Sequence, residues 1–176
     1  IGILYTKDNI ESFLRGGGQE QGIRSGTENV YGAVAFSKVL EKYYFKLEDS
    51  KNESFLKQKE NTFDFVKKLS ELKGCTIIPQ ERLENPDLYS PYVVQVAFNN
   101  IPGNVMLRAL DSQGIYISTG SACSSKKNKR PILEAMQVES KLRENSVRFS
   151  FGPSTTKNEI DHLFEAVKNI NSTFNK

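Results

Sequence analysis

Ser146-Val-Arg-Phe-Ser-Phe-Gly152 runs straight into Pro153-Ser-Thr-Thr-Lys-Asn-Glu159, and these two halves together define the class of fold. Its first half alternates, with Val147, Phe149 and Phe151 on one face and Ser146, Arg148 and Ser150 on the other. That period of two marks a strand with one buried face. The second half sets Thr156 three residues before Glu159, the spacing of a capping box, so a helix opens there. Its apolar face is Ile160, Leu163, Phe164, Val167 and Ile170. A strand next to a capped amphipathic helix makes this end of the chain α+β.

Working backwards, Pro131 suits the first turn of a short helix that reaches Met136. A loop of small residues, Thr119-Gly-Ser-Ala-Cys-Ser-Ser125, follows a short strand at Ile115–Ser118. Asn104 and Gly114 read as cap and stop of a helix over Asn104–Gln113. Further strands are expected at Cys75–Ile78 and Tyr92–Asn99. Upstream, Val30, Ala33, Val34 and Leu40 keep helical spacing, as do Phe63, Val66, Leu69 and Leu72. The polar middle, Leu47 to Gln58, has neither proline nor glycine, so one bent helix and two helices both remain open; Gly74 ends the pattern. The chain starts with an apolar strand over Gly2–Thr6. A lone strand cannot satisfy its own backbone, so the chain reads as a piece of something longer.

Composition narrows the function classes. The 176 residues, 38% of them apolar, suffice for one sizeable domain or a small domain carrying part of another. A formal charge of +3 is too small to argue for nucleic acid. No run approaches the roughly 18 apolar residues of a membrane helix. Cys75 and Cys123 are far apart and lack metal-ligand spacing, so they read as free thiols of a reducing compartment, by default the cytoplasm.

Three places could carry chemistry. Gly22-Ile-Arg-Ser-Gly-Thr27 leads into a helix, and glycine-exposed N–H groups, a helix N-terminus, the Thr27 hydroxyl and Arg24 suit a phosphate. The alternative is a glycine-rich turn whose Thr27 merely caps the helix. Cys123 sits among Ser121, Ala122, Ser124 and Ser125, with Lys126, Lys127, Lys129 and Arg130 just downstream. Small polar neighbours suit an exposed loop, and cations favour the reactive thiolate over an inert thiol. Cys75, beside Thr76-Ile-Ile78, reads instead as a buried, unreactive cysteine. A Cys–His hydrolase has little support, because the only histidine, His162, falls within the last helix. Arg148 lies on the polar face of its strand, where a guanidinium can grip a carboxylate with two parallel hydrogen bonds or simply meet solvent.

Taken together, Gly16-Gly-Gly-Gln-Glu-Gln-Gly-Ile-Arg-Ser-Gly-Thr-Glu-Asn29, Ser121-Ala-Cys-Ser-Ser125, Ser146-Val-Arg-Phe-Ser-Phe-Gly152, Thr155-Thr156 and Glu159-Ile-Asp161 resemble the cysteine desulfurases of the NifS/IscS-like group. These belong to the class V aminotransferase branch of fold-type I pyridoxal-phosphate enzymes. The resemblance implies an α+β C-terminal small domain plus the last part of a PLP-transferase-type α/β large domain. Residues 1–40 would end the large domain, 41–74 would form a connecting helix, and 75–176 would be the small domain. It implies pyridoxal 5′-phosphate as cofactor, L-cysteine as substrate, a homodimer, and a sulfur-acceptor or iron–sulfur scaffold protein as partner. Thr27 would contact the cofactor phosphate of the partner subunit, Cys123 would become a persulfide, and Arg148 would bind the substrate carboxylate. The Schiff-base lysine of the family lies upstream of the segment matching Ile1, so residues 1–176 alone are expected to be inactive. Other readings are a non-catalytic interaction module using the basic loop, or a selenocysteine lyase.

Overall fold

In the computed structural model of this chain, residues 1–43, 53–119 and 130–175 are described. They fall into two compact units, Ile1–Asn52 and Glu53–Lys176.

The second unit is built on a three-stranded antiparallel sheet in the order β1-β2-β3: β1 is Cys75–Ile78, β2 is Val93–Phe98 and β3 is Ser146–Ser150. The register pairs Ile77 with Val96, and Gln95 with Arg148. Alternation sorts the side chains. Ile77, Val94, Val96, Phe98, Val147 and Phe149 enter one core, which Phe65, Val66 and Leu69 join from a helix over Glu53–Ser70. Ile160, Leu163, Val167 and Ile170 join it from the last helix, Lys157–Phe174. Phe65 sets its ring edge-on to Phe149 and Phe151, at 5.5 and 5.7 Å between centroids, an arrangement that adds to plain area burial. The last helix opens on the expected capping box, with the Thr156 hydroxyl accepting from Glu159 N–H and the Glu159 carboxylate accepting from Thr156 N–H.

Residues of the opposite sheet phase, Ile78 and Ala97, pack with Leu133, Val138 and Leu142. These come from two short helices, Pro131–Ala135 and Ser140–Glu144, and the segment between them. In chain order the helices are α1 (Val30–Tyr43), α2 (Glu53–Ser70), α3 (Gly103–Asp111), α4 (Pro131–Ala135), α5 (Ser140–Glu144) and α6 (Lys157–Phe174).

Four sequence expectations change. Helix α3 begins at Gly103 with Pro102 at the cap, so Asn104 is its second residue and makes no cap bond; Pro102 already supplies the extended backbone needed there. Ile115–Ser118 is not a strand: Ile115 and Ile117 pack on the core, but the backbone meets β3 only at Ser118. Gly2–Thr6 is also not a strand, and Ile3, Leu4 and Tyr5 are exposed. A strand needs a neighbouring ladder, and none of the described residues supplies one there. Finally, α1 starts at Val30 with Asn29 as its cap, not Thr27. The Asn29 carbonyl accepts from Ala33 N–H and its side-chain oxygen accepts from Gly32 N–H, both at 2.9 Å. The choice between one long helix and two lies in residues 44–52, outside the described residues.

Candidate functional site

Arg148 is the middle residue of β3 and is exposed. On one side its backbone is paired with Gln95 of β2. On the other, its N–H donates to the Ser118 carbonyl at 2.6 Å and its carbonyl accepts from Ser118 N–H at 3.2 Å. The strand position is therefore fixed from both flanks. The guanidinium makes no ion pair or side-chain hydrogen bond among the described residues. A guanidinium on a rigid strand, with no ion-pair partner to displace among the described residues, is suited to an incoming carboxylate.

Cys123 lies outside the described residues, as do Lys126, Lys127 and Lys129. The fourth downstream cation does not serve as a solvated charge. Arg130 is half-buried, and its Nη1 donates to the Ser146 carbonyl at 2.6 Å and also to the Ser146 hydroxyl. Its Nη2 donates to the Glu144 carbonyl at 3.4 Å. In the sequence Arg130 stands as the last of the run of cations after Cys123. The missed signal was its place directly before Pro131, where α4 joins the sheet.

The other thiol behaves as expected for an inert one. Cys75 is half-buried at the start of β1, and loss of solvation pushes its pKa up to about 12. At neutral pH it is a thiol, not a thiolate. His162 is exposed on α6 and lines a groove of about 480 Å³ with Tyr116, Ser150 and Phe151. Arg148 does not line that groove. No group of three His, Cys, Asp or Glu among the described residues could hold a metal ion, and no described helix is long and apolar enough to cross a membrane.

Thr27 belongs to the first unit. It is exposed, and because Asn29 caps α1, its hydroxyl makes no hydrogen bond among the described residues. Just before it, Gly26 has φ of +116°, and a Cβ there would come within 3.0 Å of Arg24 Nη1. Glycine thus permits both the backbone turn and the approach of the guanidinium. A hydroxyl donor and a cation that have no hydrogen-bond or ion-pair partner among the described residues fit the phosphate of pyridoxal phosphate.

The aminotransferase class-V family matches residues 1–163, and the chain belongs to that family. Among its relatives, a cysteine desulfurase IscS of Methanosarcina thermophila is 35% identical over 174 residues, covering 96% of this chain and 40% of the relative. A NifS/IcsS protein homolog of Lactobacillus delbrueckii subsp. bulgaricus is 33% identical over 180 residues, covering 100% of this chain and 44% of the relative. A solved NifS-like protein has the same fold, with a TM-score of 0.73 and 28% identity over 95% of this chain and 40% of its own. The chain spans about two fifths of the length of these relatives.

Proposed function

We propose that this chain is the C-terminal part of a cysteine desulfurase, which converts L-cysteine to L-alanine and passes the sulfur to its own Cys123. The observation that carries the reading is Arg148: an exposed guanidinium without an ion pair among the described residues, on a strand held on both sides. Such a group suits the carboxylate of an amino-acid substrate. Relatives named cysteine desulfurase supply the substrate class.

In this proposal Arg148 holds the substrate carboxylate, and Thr27 donates its hydroxyl to the phosphate of pyridoxal 5′-phosphate bound in the partner subunit of a homodimer. Bound pyridoxal phosphate supplies the electron sink that labilises bonds at the substrate's α and β carbons. Cys123 then acts as nucleophile on the substrate sulfur. The Cβ–S bond breaks, an S–S bond forms on Cys123, and the carbon that lost sulfur takes a proton to become the alanine methyl. Cysteine plus an enzyme thiol becomes alanine plus an enzyme persulfide, with no outside oxidant or reductant. The persulfide is delivered to a sulfur-acceptor or iron–sulfur scaffold protein in the reducing cytoplasm. Residues 1–176 alone, without the lysine that anchors the cofactor, would be inactive. The test is alanine formation from L-cysteine by the full-length protein loaded with the cofactor. One equivalent of alanine per persulfide formed, and stoichiometric sulfide once a thiol reductant is added, support the reading; alanine release from selenocysteine but not from cysteine contradicts it.

A further inference from the structure

The glycine-rich turn that leads to Thr27 is closed by a side chain. The Gly26 N–H donates to the side-chain oxygen of Gln19 at 3.1 Å, across seven residues. Gln19 is half-buried. Two residues before it, Gly17 has no room for a side chain, because a Cβ there would stand 2.9 Å from both heteroatoms of the Gln19 carboxamide. Between Gln19 and Gly26 the chain doubles back. The Gly22 N–H donates to the carbonyls of Gly18 and Gln19, both at 3.0 Å, and the Ile23 N–H donates to that of Glu20 at 3.1 Å. The Ser12 hydroxyl donates to the Ile23 carbonyl at 3.1 Å, and Leu14 meets Arg24 in a parallel bridge.

Two features of the turn need that closure. Gly18, Gly22 and Gly26 have φ of +80°, +80° and +116°. Glycine takes either sign of φ about equally well, so the local backbone does not by itself fix where residue 27 goes. Glu20 and Gln21, with φ of +52° and +58°, stand in the left-handed region without being glycine. That conformation persists only where surrounding contacts hold it, and it gathers at ligand clamps. Downstream, the Asn29 side chain accepts from Gly32 N–H and caps α1. Only Thr27 and Glu28 stand between the amide that Gln19 holds and this cap. The path of the chain through Thr27 is thus set by Gln19 on one side and Asn29 on the other.

We infer that Gln19 is a positioning residue for the cofactor phosphate: by holding the Gly26 N–H, it sets where the Thr27 hydroxyl stands. This rests on the phosphate contact proposed above for Thr27 and extends it to a residue that acts through Thr27.

The test uses the full-length protein, unsubstituted and as Gln19→Met, Gly17→Ala, Thr27→Ala and the double variant of Gln19→Met with Thr27→Ala. Each is freed of cofactor and titrated with pyridoxal phosphate and with pyridoxal, which has the same ring aldehyde and no phosphate. Methionine keeps the length of the side chain and lacks the carboxamide oxygen. Gln19→Met is expected to lose about fivefold to tenfold in affinity for pyridoxal phosphate, part of a charge-assisted hydrogen bond. Its affinity for pyridoxal should be unchanged, so the ratio of the two affinities falls. Gly17→Ala forces the carboxamide off Gly26 and should lower the ratio in the same way; it decides the matter if the methionine variant fails to fold. In the Thr27→Ala background, Gln19→Met should lower the ratio no further, since the two residues act as one unit. Equal weakening of both ligands would make Gln19 a support of the fold only, and would overturn the inference alone. So would an unchanged ratio in a folded variant, or a Gln19→Met effect that persists in full without the Thr27 hydroxyl. An unchanged ratio in Thr27→Ala would overturn the proposed phosphate contact and this inference together. Loss of the ratio as expected, in a protein that forms no alanine from L-cysteine, would support the inference and overturn the desulfurase reading.

Discussion

Replacing Arg148 with alanine separates substrate binding from folding better than any other change at this site. The backbone bonds to Ser118, at 2.6 and 3.2 Å, and the pairing with Gln95 do not depend on the side chain. The apolar residues of β3, Val147 and Phe149, are buried on the opposite face, so the substitution opens no cavity. The removed guanidinium has no ion pair to lose among the described residues. An exposed change of this kind shifts stability by no more than about 0.5 kcal/mol. Under the proposed function the substrate carboxylate would, by contrast, lose charge-assisted hydrogen bonds of about 1.5–3 kcal/mol each. The full-length protein should therefore lose about tenfold to more than a hundredfold in kcat/KM for L-cysteine. Arg148→Lys should recover only part, because an ammonium cannot reproduce the two-pronged grip. Steady-state kinetics beside thermal melts check this. Unchanged kinetics with a large fall in melting temperature would refute the reasoning and make Arg148 a structural residue.

Other consequences follow from the same geometry. Thr27→Ala should leave α1 intact and weaken pyridoxal-phosphate binding in a titration. Asn29→Ala should cost about 1 kcal/mol of stability and leave cofactor affinity in place, because Asn29 is the residue that caps α1. Alkylation at neutral pH should modify Cys123 well before Cys75, whose thiol ionises only near about 12; faster labelling of Cys75 would contradict the account of the two thiols. The Thr156 N–H and hydroxyl hold the Glu159 carboxyl below the usual carboxylate range. Its contribution is thus complete above the unfolded pKa, about 4.3, and lost as pH falls through the lower folded value. Acid-unfolding curves of the protein and Glu159→Gln should converge only at the acid end.

How much of this was legible in the residues depends on how local the determining contacts are. Strand β3, helix α6 and the Thr156–Glu159 box are fixed by neighbours within four residues, and each lies where the pattern put it. Cys75–Ile78 likewise forms β1 with the expected bounds. The failures are non-local. Whether Ile115–Ser118 becomes a strand depends on how many β3 residues it meets, and it meets one. Whether Thr27 or Asn29 caps α1 depends on where the glycine-rich turn releases the chain, and both residue types are good caps. Arg130 was the least visible: in sequence it ends a basic run, and only the fold brings Ser146 beneath it.

The central claim is that Cys123 receives the sulfur of L-cysteine, and peptide mapping of the full-length, cofactor-loaded protein after a single turnover tests it most directly. One added sulfur is expected on the peptide carrying Cys123, matched by one equivalent of alanine, and neither product in Cys123→Ser. Added sulfur on Cys75, or alanine formed at an undiminished rate by Cys123→Ser, would contradict it.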